Sequence, residues 1–213
     1  MSVRRVTRTL TAIMVVLVVA HVIAMQANFN PSLSLKQSLG FEYWHVAIFD
    51  LDEEESFGTW FSTVILLIAA VLLMRQARTL RAEGDPWHRW WMVLGWAFCF
   101  LSIDEVVGLH EMMNTMLESM PWTVVGAYVL ALVGLCYLPF LWRYRWRTAI
   151  LFALAGGIYG GGAVGVEHFS GVEVNSLQYN MLTALEEGME MLGVILLIYA
   201  ILDFGRAGLR ATR

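Results

Sequence analysis

The chain has 213 residues, of which 58% are hydrophobic and only 15% charged, with a formal net charge of −4. Soluble domains carry about 25% charged residues, so this composition excludes an ordinary soluble domain and points to a membrane protein. The two cysteines, Cys99 and Cys136, sit in apolar runs and exclude a disulfide framework, while the scattered arginines leave no nucleic-acid-binding patch.

Six apolar segments have spanning length, at about 8–26, 57–77, 89–116, 123–143, 148–168 and 180–203. They predict an all-α, polytopic membrane helical bundle forming a single domain over residues 1–213. In the first segment, Arg4, Arg5 and Arg8 precede an apolar run that ends near Ala24 and Ala27, as in a signal peptide. The run from Leu10 to Met25 is long for a signal core, which favours a retained helix. Residues 27–55 form the one long outer connection. Its Leu33, Leu35, Trp44, Val46, Ile48 and Leu51 suggest an amphipathic interfacial element.

Charge gives the orientation. Thirteen of the fourteen basic residues fall before the first segment, between the second and third, between the fourth and fifth, or after the sixth; Lys36 is the exception. By the positive-inside rule both termini are cytoplasmic, in a plasma (inner) membrane. Trp87, Trp90, Trp91, Trp142 and Trp146 then read as an inner aromatic belt, and Trp44, Trp60 and Trp122 as an outer one.

The acids segregate the other way. Of eighteen, only Glu83, Asp85 and Asp203 belong to the cytoplasmic side. The third segment carries Asp104-Glu105-Val106-Val107-Gly108-Leu109-His110-Glu111 where lipid-compatible residues are expected. A charge at the bilayer centre costs roughly 2.5–3.5 kcal/mol on insertion scales, and intramembrane acids usually mark a functional interior. On a continuous helix Asp104, Gly108 and Glu111 share one face, with His110 and Asn114 beside it and Glu105 about 100° away. At about 1.5 Å per residue, Asp104 lies roughly 22 Å from Arg89, and Glu167-His168 roughly 30 Å from Arg147. Glu186, Glu187 and Glu190 of the sixth segment reach the same outer level, as does His21 of the first. Glu53-Glu54-Glu55 lies at the outer boundary and reads first as a solvated helix cap, with Glu55 as a candidate ligand. The glycines Gly157, Gly161 and Gly165, with Gly156 and Gly160 in parallel, form a small-residue ridge suited to close helix packing.

Several carboxylates cannot stay ionised together at low dielectric; protons or a cation must neutralise them. Carboxylate with imidazole suits iron, manganese or zinc, one ion or two. The expected ligands are Asp104, His110, Glu111, Glu167, His168, Glu186, Glu190 and Glu55, with Glu105 and Glu187 as proton-handling groups. The ligand chemistry is similar to that of ferritin-like di-iron proteins, but their Glu-x-x-His pair is absent, since Val107 precedes His110 by three. Met112, Met113, Met116, Met120, Met181, Met189 and Met191 offer a weaker path for copper. His45 and Trp44 read as part of a lid; His88 reads as irrelevant.

The leading expectation is a metal-dependent membrane enzyme, a hydrolase or an oxidase, acting on a lipid-like or hydrophobic substrate from the outer side. No Gly-x-Ser-x-Gly elbow, nucleotide loop or haem-attachment motif is present. Alternatives are a cation or proton-coupled transporter and a small accessory subunit of a membrane complex.

Overall fold

A computed structural model describes residues 2–29, 46–116, 121–169 and 176–211, without the side chains of residues 28, 29, 111, 114–116 and 207–211. The elements are α1 (Val3–Phe29), α2 (Phe57–Ala82), α3 (His88–Val107), α4 (Leu109–Met116), α5 (Trp122–Arg143), α6 (Trp146–Phe169) and α7 (Leu177–Ala211). All except the eight-residue α4 are long and apolar enough to cross a membrane. The six expected segments are therefore present, their spanning stretches ending within about five residues of the expected bounds except in the third, which stops at Val107 rather than 116. The outer connection falls largely outside the described residues, including Trp44 and His45.

The third segment differs from expectation: it is two helices. Gly108 adopts the left-handed conformation (φ 60°, ψ 39°) and its N–H donates to the carbonyl of Asp104 at 2.7 Å, which ends α3. Residues with a Cβ disfavour this conformation, and glycine does not. Asp104 and Glu111 therefore do not share the face of one continuous helix.

α7 is the centre of the bundle and packs against α1, α2 and α6, while α2 and α3 form the most extensive pair. The reason is written in α2. Phe61, Ile65, Ala69, Leu73 and Ala77 recur every fourth residue, form one stripe, and are all buried. That stripe belongs to the same core as Met191, Val194, Ile195, Ile198 and Ile201 of α7. α5 is peripheral; Tyr128, Leu132 and Leu135 stand exposed along it, as lipid-facing residues do.

At one end of the bundle Trp91 is fully buried, with Phe140, Tyr144, Phe152 and Phe204 around it at ring-centroid distances of 5.6, 5.9, 5.3 and 5.0 Å. Its indole N–H donates to the Tyr144 hydroxyl at 2.9 Å. Trp91 is thus a core residue rather than part of a belt, whereas Trp142 and Trp146 are 81% and 77% exposed, as belt residues should be. This cluster sets the starts of α3 and α6 beside the ends of α5 and α7, so the helices alternate in direction. Arg147 closes the same end on Asp203, Nε to Oδ2 at 3.2 Å.

The glycine ridge is used differently from its spacing. Gly156, Gly157 and Gly165 face open space, whereas a Cβ on Gly162 would meet the Glu186 carbonyl at 2.8 Å and the Glu190 Cγ at 3.1 Å. A Cβ on Gly193 of α7 would meet the Tyr159 backbone nitrogen at 2.7 Å. Close approach of α6 and α7 rests on Gly162 and Gly193. The stretch that contains Gly162, Gly161–Val166, is wound as a π-helix, a form that recurs at functional sites.

Candidate functional site

The end of the bundle opposite Trp91 collects the acids. Several pieces of the fold bring them there. Glu105 is in the last turn of α3, half-buried, and is supported by a hydrogen bond from Ser62 in α2. Nearby, the Ser102 hydroxyl donates to the Thr63 carbonyl at 3.0 Å and pins the two helices together. Glu186, Glu187 and Glu190 lie on α7, where Gly162 lets α6 approach. Tyr159 of α6 donates its hydroxyl to Glu190.

These groups act on one another across helices. Glu190 lies within electrostatic reach of Glu105, Glu186 and Glu167, and Glu187 within reach of Glu190, Glu105 and Glu186. His110 acts on both Glu105 and Glu186. Glutamates from α3, α6 and α7 and one imidazole from α4 thus share one neighbourhood.

The break at Gly108 decides where His110 goes. It turns α4 back so that Asp104 accepts twice from the same residue: Oδ1 from the His110 backbone N–H at 3.1 Å, and Oδ2 from the ring Nδ1 at 3.0 Å. The His110 ring also packs on Trp122 at 5.0 Å, and Trp122 donates its indole N–H to Glu167 at 2.6 Å.

Other expected residues stand elsewhere. The exposed His168 pairs with the Thr123 hydroxyl at 3.0 Å rather than with the acids. Glu55 is exposed in the connection ahead of α2, and the cap of α2 is Ser56, which accepts from the Thr59 N–H at 3.2 Å. The side chain of Glu111 lies outside the described residues. His21 is fully buried and ties three elements. Its Nδ1 accepts from the Leu51 N–H at 3.0 Å, and its Nε2 donates to the Asn180 carbonyl at 3.1 Å. Asp50 Oδ1 lies 3.3 Å from the same Nδ1. The ring is an interhelical tie of α1.

Among the described residues, no three His, Cys, Asp or Glu side chains are gathered around one point in a metal-holding arrangement. The acids are close but spread, several of them held by a neutral donor: Ser62, Trp122 or Tyr159. Sequence reasoning missed all three donors. A mid-span tyrosine such as Tyr159 was the available signal, because a buried phenol seeks a partner. An open concavity of about 740 Å³ runs along the start of α1 past Arg4, Arg5, Arg8 and Val16, and none of the acids line it.

Fold and composition together define a multi-pass, all-α membrane protein. Residues 10–204 match the family described as Domain of unknown function (DUF8692), and the chain belongs to that family. No curated protein and no solved structure matches it.

Proposed function

We propose that this chain is a metal-dependent membrane enzyme whose working part is the acid and imidazole level in the outer half of the bilayer. One observation carries the reading. Glu105, Glu167, Glu186, Glu187 and Glu190 act on one another across three helices, while the described arginines lie at the other end or in its connections. Like charges at this depth need a cation or protons to neutralise them. Glu105, Glu186, Glu190 and His110 are the groups from which a divalent iron, manganese or zinc ion would draw its ligands, and such an ion would supply that charge and activate water or dioxygen there. Glu187 would handle protons. Ile103, Val106 and Val107 stand about half exposed beside the site, a surface suited to a hydrophobic or lipid-like substrate arriving from the bilayer. The arginine distribution supports cytoplasmic termini in an inner membrane, with the acid level facing outward.

A second reading, proton-coupled transport, is favoured by the spread of the acids and their neutral donors. Elemental analysis of protein purified without chelator separates the two. About one or two metal equivalents, lowered by Glu105→Gln and by Glu190→Gln, support the enzyme. Metal near zero in the unsubstituted protein, with substrate-driven proton flux lost in the same variants, overturns it in favour of transport.

A further inference from the structure

We infer that Asp104 is a positioning residue, which fixes the His110 ring with its proton on Nδ1 and so presents Nε2 as the nitrogen that works in the site. This rests on the reading that His110 serves the acid level, and it removes Asp104 from the ligand set that the sequence suggests.

The geometry is specific. A carboxylate accepts but does not donate, so the Oδ2 contact at 3.0 Å requires the ring proton on Nδ1. The Oδ1 contact with the His110 backbone N–H at 3.1 Å fixes the other half of the carboxylate. Two bonds to one residue set both where the imidazole stands and how its plane is turned. Asp104 is 15% exposed at the side chain and His110 31%, so solvent competes weakly for the carboxylate. With Nδ1 committed to a hydrogen bond, the lone pair of the neutral ring is on Nε2. A carboxylate behind an imidazole in this manner sets the tautomer and raises the basicity of the working nitrogen. The left-handed turn at Gly108 makes the contact possible, because it returns residue 110 to the side chain six positions earlier.

A purely structural role predicts something different. As a simple cap for α4, Asp104 needs to accept only from the backbone N–H, which asparagine also does. In Asp104→Asn the amide oxygen keeps that bond, while the amide NH₂ faces Nδ1 and can be accepted only if Nδ1 gives up its proton. The substitution therefore preserves the cap and reverses the tautomer.

The test is nitrogen NMR on histidine-labelled, chelator-treated protein in bilayers, with the His110 signal assigned by its loss in His110→Gln. The expected result is an Nδ1–H ring in the unsubstituted protein and an Nε2–H ring in Asp104→Asn. An Nε2–H ring in the unsubstituted protein overturns the inference without reference to any variant's folding. An unchanged tautomer in a folded Asp104→Asn overturns it as well. Titration with zinc(II) alone adds the functional arm: affinity falls about 10–100-fold in Asp104→Asn, and loss of no more than the cap's effect on stability, with unchanged zinc affinity, counts against it. If the unsubstituted protein binds no zinc, iron or manganese, the metal reading fails, while the tautomer result still judges the positioning role.

Discussion

Tyr179 donates its hydroxyl to Asp52 Oδ2 at 2.7 Å, joining the first turn of α7 to the connection that leads into α2. Asp50 and Glu53 lie beside this carboxyl and His21 acts on it from α1. Burial is the largest influence on Asp52 and pushes its carboxyl above the ordinary aspartate value; the Tyr179 donor pulls it partly back.

A pH dependence follows with a definite sign. The folded state holds the Asp52 proton more tightly than the unfolded chain, so its contribution favours folding at low pH. That contribution is lost as pH rises from the ordinary aspartate value through the raised one. Asp52→Asn should flatten this part of the profile of melting temperature against pH. Tyr179→Phe should steepen it, because the donor that favours the carboxylate is gone. Asp52 keeps an exposed side, so solvent screening keeps the effect small. Thermal melts in detergent at stepped pH values measure it, and a profile identical in all three proteins contradicts the assignment.

Gly162→Ala should destabilise the protein by about 1–3 kcal/mol, the usual cost of forcing a methyl group into a packed contact. The new Cβ would face the Glu186 carbonyl at 2.8 Å and Met189 Cβ at 3.1 Å. Gly157→Ala, on the same helix with nothing within 4 Å, should change stability by no more than about 0.5 kcal/mol. Equal losses in both variants would show that the contact with α7 does not control the response, since helix propensity alone favours alanine at both positions.

Six crossings place the two ends of the chain on one side. A reporter fused after Arg213 should be active in the cytoplasm and silent outside it, and a reporter inserted after Glu54 should behave the opposite way. Activity of the Arg213 fusion outside the cytoplasm would overturn both the count and the orientation.

The fold was legible because lipid imposes a long, continuous apolar signal on each spanning helix, and six such runs are hard to misread. Short-range backbone events were not. Gly108 lies inside an apolar run whose composition suits one helix, and only the left-handed turn shows that it ends α3. Of the candidate site, only the level of the acids was legible. Depth alone brought Glu105, Glu186, Glu187 and Glu190 to one level. Rotation about the helix axis, set by packing, decided that His168 turns to Thr123, and the break at Gly108 decided that His110 turns to Asp104. Trp91 shows the same limit: it has the position of a belt tryptophan, but the neighbouring Phe140, Phe152 and Phe204 enclose it. His21 is the converse, since a lone imidazole in an apolar helix most often makes an interhelical bond, and it makes one to the Asn180 carbonyl of α7 and accepts another from the Leu51 N–H of the outer connection.

The π-wound stretch of α6 turns chain length into aim. A π turn accommodates one residue more than the α ladder around it, which swings everything beyond by roughly 100°. Glu167 follows immediately after that stretch, and in this winding its carboxyl accepts from the Trp122 indole at 2.6 Å. Losing one residue between Gly161 and Val166 would leave an unbroken α-helix whose glutamate keeps its present aim, because the lost residue and the lost π turn compensate; winding the full-length stretch as α is what would turn it away. In this segment residue count and winding set the direction of the glutamate together, and a change in one is harmless only when the other changes with it.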